Sequence, residues 1–275
     1  MQNATAQATR ISRVFARLKQ ENRSGLIAYL TAGDPTPEHT PGLVAALARG
    51  GADIIELGVP FSDPIADGPV IQRASDRALK SGTTLQRVLE IAATIRKTSD
   101  IPLLLFTYLN PLLKYGLERL AKDAVASGID GCLLTDLSVE EADKYVGVMR
   151  SSGLDTVFLA APTSTGRRLE LVARYSSGFV YLVSRTGVTG EQTSVSDAVG
   201  PLVQAMRSAT PLPLAVGFGI ATAAHAAQVG AVADAVVVGS AIVRLIEQNA
   251  GSPDLEFKLE SLVRELSSGL GSRNK

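Results

Sequence analysis

The chain has 275 residues, 45% of them hydrophobic, with 27 basic and 27 acidic side chains and a formal net charge of zero. Such a balance excludes a general nucleic-acid or membrane-surface role, which requires a basic excess. No apolar run approaches the roughly 20 residues that cross a bilayer. A local anion site built from backbone amides stays open. The length allows one domain or two; with no composition shift to mark a boundary, the chain reads as a single domain over 1–275.

The first twenty residues carry Arg10, Arg13, Arg17 and Lys19 and no acid, loosely the composition of a transit peptide. Ile11, Val14, Phe15 and Leu18 fall at helical spacing, however, and an amphipathic helix ahead of the first strand is the better reading. Strands are then predicted over 26–31, 53–57, 103–108, 131–135, 156–160, 179–183, 214–217 and 235–238. Helical patterns follow most of them, over 41–49, 84–98, 117–127, 139–152, 167–175, 194–208 and 221–229. A further helix begins near Pro69, a short one at Ser240, and a last one spans 255–266. Most strand runs are continuously apolar, as when both faces of a sheet are covered. Eight β-then-α units in this length predict an α/β fold: a (β/α)8 TIM barrel with an extra N-terminal helix and a short helix after strand eight. The competing doubly wound sheet usually shows a Gly-rich dinucleotide loop after strand one, and here that loop reads T-A-G-D-P.

In such a barrel the active site lies at the carboxyl ends of the strands. Glu56 on strand two, Tyr108 and Asn110 after strand three, Asp136 after strand four and Tyr181 on strand six gather there. The richest stretch is I-I-E-L-G-V-P-F-S-D-P-I-A-D-G-P at 54–69, with Glu56 and Asp67 on either side of a loop stiffened by Pro60 and Pro64. A carboxylate ending a buried strand is costly unless it is paired or in use. Asp67 comes just before a helix whose first position suits Pro69. Taken singly, Glu56 could be half of a buried ion pair and Asp67 a turn or cap residue.

Three glycine features come late. Gly190 closes R-T-G-V-T-G after strand six, Gly217-Phe218-Gly219 follows strand seven, and Gly239-Ser240 opens the short helix. Any one alone reads as a turn. Together, near the amino end of that helix, they predict a grip for a phosphorylated substrate. The segment 184–194 is polar, with two glycines and no apolar period, and is predicted to be a mobile lid; a static surface loop is the alternative. Cys132, in G-C-L-L, reads as a buried thiol in a reducing compartment. It is no nucleophile, because His39 in a polar turn and His225 in an Ala-rich helix have the settings of solvated side chains. Cytoplasm is the default location.

From 26 to about 243 the motifs closely resemble the tryptophan synthase alpha subunit family. The stretch at 54–69 carries the resemblance, with T-A-G-D-P at 31–35, T-Y-L-N-P at 107–111, the Asp136 turn, A-P-T-S at 161–164 and Y-L-V-S-R-T-G-V-T-G at 181–190. The resemblance implies retro-aldol cleavage of indole-3-glycerol phosphate to indole and glyceraldehyde 3-phosphate, in tryptophan biosynthesis. That cleavage needs a proton at the ring carbon, help in withdrawing the indole N–H proton, and a base for the hydroxyl that becomes the aldehyde. Carboxyl groups suffice, without metal or Schiff base.

By resemblance, Glu56 is the acid–base group and Asp67 holds or deprotonates the indole nitrogen. Tyr181 orders the pocket, while Tyr29, Phe106 and Leu133 line the indole. Gly190, Gly217, Gly219, Gly239 and Ser240 belong to the substrate grip, and Thr189 on the lid contacts Asp67. The resemblance also implies no cofactor in this chain and a partner, the pyridoxal-phosphate beta subunit, in an alpha2-beta2 heterotetramer that receives the indole. Docking falls to the loop 60–69 and the neighbourhood of 108–111: Pro60, Asp63 as an ion-pair candidate, Tyr108, Asn110 and Asp136. Two positions depart from the family: Tyr29, commonly phenylalanine, and Ser138, usually proline. Two other readings are a stand-alone lyase and a catalytically silent barrel that activates a beta subunit; intact Glu56 and Asp67 count against the second.

Overall fold

The computed structural model describes residues 8–183, 199–217 and 219–271. Their strands are β1 (Gly25–Thr31), β2 (Ile54–Gly58), β3 (Leu103–Thr107), β4 (Gly131–Leu134), β5 (Asp155–Val157), β6 (Leu159–Ala160), β7 (Val180–Val183), β8 (Leu214–Gly217) and β9 (Ala235–Val238). All pair in parallel, in the order β5-β4-β3-β2-β1-β9-β8-β7-β6. β5 and β6 are two halves of one crossing interrupted at Phe158; the first pairs with β4 and the second with β7. The Ser177 and Tyr181 amides donate to the Thr156 and Phe158 carbonyls at 2.7 and 3.1 Å. These bonds bring the sheet round into an eight-staved TIM barrel.

The helices are α1 (Arg10–Gln20), α2 (Thr40–Gly50), α3 (Pro69–Lys80), α4 (Leu85–Arg96), α5 (Leu109–Tyr115), α6 (Leu117–Ala126), α7 (Asp143–Ser151), α8 (Gly166–Tyr175), α9 (Val199–Ala209), α10 (Ala223–Gly230), α11 (Ser240–Asn249) and α12 (Leu255–Ser268). One after each stave, α2, α4, α6, α7, α8, α9, α10 and α12 make the outer ring, and α12 returns to pack on α2. α1, α3, α5 and α11 are additions. The sequence reading lacked α5, a seven-residue helix too short to show an apolar period. It also made one helix of 139–152, where a 3-10 turn at Val139–Glu141 precedes α7.

Alternation along the strands builds two cores. Leu26, Ala28, Leu30, Ile55, Leu57, Leu105 and Leu134 point outward, under the helices. Ile27, Ile54, Leu104, Leu133, Val157, Ala215, Ala235 and Val237 fill the barrel, together with Ile11, Phe15 and Leu18 of α1. Phe15 packs against Phe179 with ring centroids 5.6 Å apart. α1 therefore plugs the end where the staves begin. Acids at the starts of the staves hold it: Arg17 pairs with Asp53 at 2.7 Å, Arg10 with Asp130 at 3.1 Å, and the Thr9 hydroxyl donates to Asp155 at 2.6 Å. Asp53 and Asp130 also accept the Leu26 and Leu103 amides of neighbouring strands, at 3.0 and 2.8 Å. With one end sealed, access is left to the carboxyl ends of the strands.

Candidate active site

Glu56 lies two residues beyond the inward Ile54, so its side chain also points inward, one layer above the packed core. It stands in register between Tyr29 of β1 and Leu104 of β3. The residue is 1% exposed, and among the described residues neither carboxyl oxygen has a hydrogen-bond partner. Within the described residues it is half of no ion pair. Burial without compensation disfavours the charged form and pushes the carboxyl up to about 8.

Asp67 reaches the same mouth from the loop after β2. Its amide donates to the Pro64 carbonyl at 3.0 Å, its carbonyl accepts from Gln72 Nε2 at 2.9 Å, and Pro69 takes the first turn of α3. The Tyr108 hydroxyl donates to its Oδ2 at 3.0 Å and itself accepts the Ala66 amide at 3.0 Å. Burial raises this carboxyl to about 6, opposed by the Tyr108 hydrogen bond.

The aromatic residues meet here. Tyr29 packs edge-on to Phe106, centroids 5.1 Å apart, and its hydroxyl shares a 3.3 Å hydrogen bond with Thr31 Oγ1. That bond answers the partner required by a tyrosine in the place of phenylalanine. Burial keeps the Tyr29 and Tyr181 phenols protonated, reinforced by Asp67 and Glu56 for Tyr29 and by Glu56 for Tyr181. Leu133 is in the packed layer, with Phe106, Leu159 and Tyr181 against it. Sequence reasoning missed Gly58: a Cβ there would lie 2.3 Å from the Tyr29 hydroxyl. Gly217, read as part of a phosphate grip, also makes room for a phenol, since its Cβ would lie 2.4 Å from the Tyr181 hydroxyl. A glycine ending an apolar strand was the available signal for both.

Further round the rim, past β1, Gly217 ends β8, Gly219 has φ +66°, and Gly239 and the buried Ser240 open α11. The amino end of α11 sits beside Tyr29, whose Cβ is 3.5 Å from where a Gly239 Cβ would be. Thr189, Gly190 and the whole segment 184–194 lie outside the described residues.

Of the residues expected to dock a partner, Pro60 is buried while Asp63 and Asn110 are exposed. Pro60, Phe61, Leu79, Asn110, Pro111 and Lys114 border a surface cleft of about 330 Å³. Tyr108 packs on Phe61 with centroids 5.2 Å apart and is only 3% exposed, its hydroxyl turned inward to Asp67. The exposed Asp136 carboxylate accepts the Leu109 amide at 2.7 Å, tying the loop after β4 to the start of α5. Ser138, the other departure, has φ −66°, the value proline itself imposes, so the loop keeps that backbone angle without the ring. Cys132 is buried among the outward-facing core residues, and burial pushes its thiol up to about 12. Among the described residues no cluster of three His, Cys, Asp or Glu could hold a metal ion.

This geometry has close counterparts. The profile of the family described as tryptophan synthase alpha chain matches residues 15–269. The tryptophan synthase alpha chain of Solibacter usitatus (strain Ellin6076) is 72% identical over 265 residues, spanning 96% of this chain and 99% of that one. That of Geotalea uraniireducens (strain Rf4) is 49% identical over 262 residues, 95% of this chain and 98% of its own. Among solved structures, tryptophan synthase subunit alpha from Legionella pneumophila str. Paris superposes with a TM-score of 0.89 at 37% identity, covering 96% of this chain and 98% of that one. Mycobacterium tuberculosis tryptophan synthase gives a TM-score of 0.89 at 36% identity, covering 96% and 99%. With the profile covering nearly the whole barrel and the relatives matching end to end, the chain belongs to the tryptophan synthase alpha chain family.

Proposed function

We propose that this chain cleaves indole-3-glycerol phosphate to indole and glyceraldehyde 3-phosphate, the reaction of its family, with Glu56 and Asp67 as its catalytic residues. One observation carries the assignment of roles. Two carboxyl groups share one mouth, one buried without a hydrogen-bond partner among the described residues and held protonated to about 8, the other tied to Tyr108 and ionised above about 6. Near neutral pH they are thus acid and base respectively.

Ionised Asp67 accepts the indole N–H, pushing electron density toward the ring carbon. Protonated Glu56 delivers its proton to that carbon. The resulting Glu56 carboxylate then takes the proton of the adjacent side-chain hydroxyl while the carbon–carbon bond breaks. Indole leaves, the aldehyde forms, and Glu56 ends protonated as it began. Tyr29 and Phe106 offer an aromatic wall to the ring. The glycine-flanked amino end of α11, with Ser240, suits the phosphate. No step calls on a cofactor in this chain.

The partner of this reading is a tryptophan synthase beta subunit, which carries pyridoxal phosphate and receives the indole in an alpha2-beta2 assembly. Pro60, Asp63, Asn110 and Asp136 are assigned to the docking side. A single domain over 1–275 and a cytoplasmic location complete the reading. One continuous sheet from β1 to β9 supports the first, and among the described residues no helix is long and apolar enough to cross a membrane.

The test is indole release from indole-3-glycerol phosphate by the purified chain, alone and with a beta subunit added. Slow release that rises sharply with the partner is expected, with Glu56→Gln lowering turnover by about 100-fold or more. Equally fast release without any partner would instead mark a stand-alone lyase. No release in either condition would refute the two-carboxylate mechanism.

A further inference from the structure

Two of the additional helices form one structural unit over the mouth. α3 follows β2 and α11 follows β9, the two neighbours of β1, and each precedes the ring helix proper. Both pack on β1 and on each other, with Ile71 and Ala74 of α3 and Val243 of α11 gathered around Tyr29. Their leading ends carry the chemistry: Asp67 stands two residues before Pro69, and Gly239 and Ser240 open α11.

Further along the same pair of helices runs an ionic network that the reaction itself does not use. Arg77 of α3 forks both nitrogens onto Asp34, at 2.8 Å each, and sends a third to Glu247 of α11 at 2.8 Å. Glu247 also takes a second fork from Arg73, at 2.7 and 2.8 Å. Asp34 belongs to the loop after β1 and is 1% exposed, while Arg77 and Glu247 keep 27% and 24% of their side chains in contact with solvent. The network therefore fastens the barrel rim, α3 and α11 at one point. Ion pairs of this kind are poor sources of stability, because desolvation offsets much of the attraction. Planar forks do fix direction as well as distance, whereas the apolar contacts beneath could slide.

We propose that Asp34, Arg77, Glu247 and Arg73 form a positioning device that fixes the spacing between Asp67 and the phosphate grip at Gly239 and Ser240, so that a substrate joined through a three-carbon chain engages both ends at once. The proposal rests on the function assigned above. A ligand held at two ends gains from its linkage only when the sites stand at the matching span. The network sets that span without touching substrate.

The test compares three ligands by calorimetry on the full chain: indole, glycerol 3-phosphate, and an uncleavable indole bearing a phosphorylated three-carbon chain. With Arg77→Met or Glu247→Gln, affinity for the joined ligand should fall roughly tenfold while each half stays within about twofold. kcat/KM should fall in parallel, with the pH limbs of the rate unmoved. Arg77→Lys, which keeps the charge and loses the fork, should lie between. A common loss for all three ligands would show a merely structural role, and an unchanged joined ligand would show no role; either overturns the proposal. Should Arg77→Met not fold, the nearly isosteric Glu247→Gln gives the same reading. A wild-type chain that binds the joined ligand no better than its halves and releases no indole would instead refute the function itself.

Discussion

Glu56 and Asp67 differ less in chemistry than in surroundings. Glu56 sits in the middle of the buried β2, where none of the described residues offers it a hydrogen bond, and Asp67 lies on a loop where Tyr108 does. With the acid at about 8 and the base at about 6, the profile of kcat/KM against pH should be a bell with limbs near those values. A flat profile across that range would contradict the roles. Tyr108→Phe removes the bond that lowers Asp67, so the acid limb should move upward from about 6. Linkage provides a check without substrate. The folded value of Glu56 lies above the ordinary carboxyl value of 4.5, so the folded chain binds that proton more tightly from about 4.5 to about 8. Stability should therefore fall as pH rises through that window, and be lowest above it. Glu56→Gln should remove the decline, making the variant more stable than wild type at about pH 9, on the order of 5 kcal/mol by denaturant titration. The sequence showed both carboxylates and both bracketing prolines. It could not show that Glu56 has no partner among the described residues, since several arginines were equally open to it.

Elements were legible in proportion to their length and period. α1 announced itself through Ile11, Val14, Phe15 and Leu18, and three of the four are buried at the closed end of the barrel. That it plugs the barrel was not written in the period, because an amphipathic helix does not say which core receives its face. Phe15→Ala should cost about 3 kcal/mol in thermal or denaturant unfolding while leaving turnover per folded molecule unchanged, the site lying at the other end. A matching loss of kcat would mean that the plug also shapes the mouth. Strand five was predicted as one run, yet it is broken at its middle residue Phe158, and the two halves pair with different neighbours. α5 escaped notice because its first amide is capped by Asp136, a residue 27 positions further on, rather than by a local signal.

The described residues present a sealed floor, a mouth at the carboxyl ends of the strands, and beside that mouth a surface bearing Ile65 and Leu113, 78% and 60% exposed. If this is where a beta subunit docks, Leu113→Asp should leave basal indole release unchanged and reduce its stimulation by added beta subunit by roughly tenfold. Unaltered stimulation would move the docking surface elsewhere. Sequence by itself determined the eight β-then-α units, the two carboxylates and the late glycines, because strand alternation, helical period and glycine placement are local properties. Only the tertiary structure decided which residues meet. Closure of the barrel brings Gly239 beside Tyr29 across 210 positions of chain. It packs the phenols of Tyr29 and Tyr181 against Gly58 and Gly217, and it rivets α3 to α11 through Arg77 and Glu247. Those pairings depend on stave order and register, which set distances in space that no spacing along the chain records.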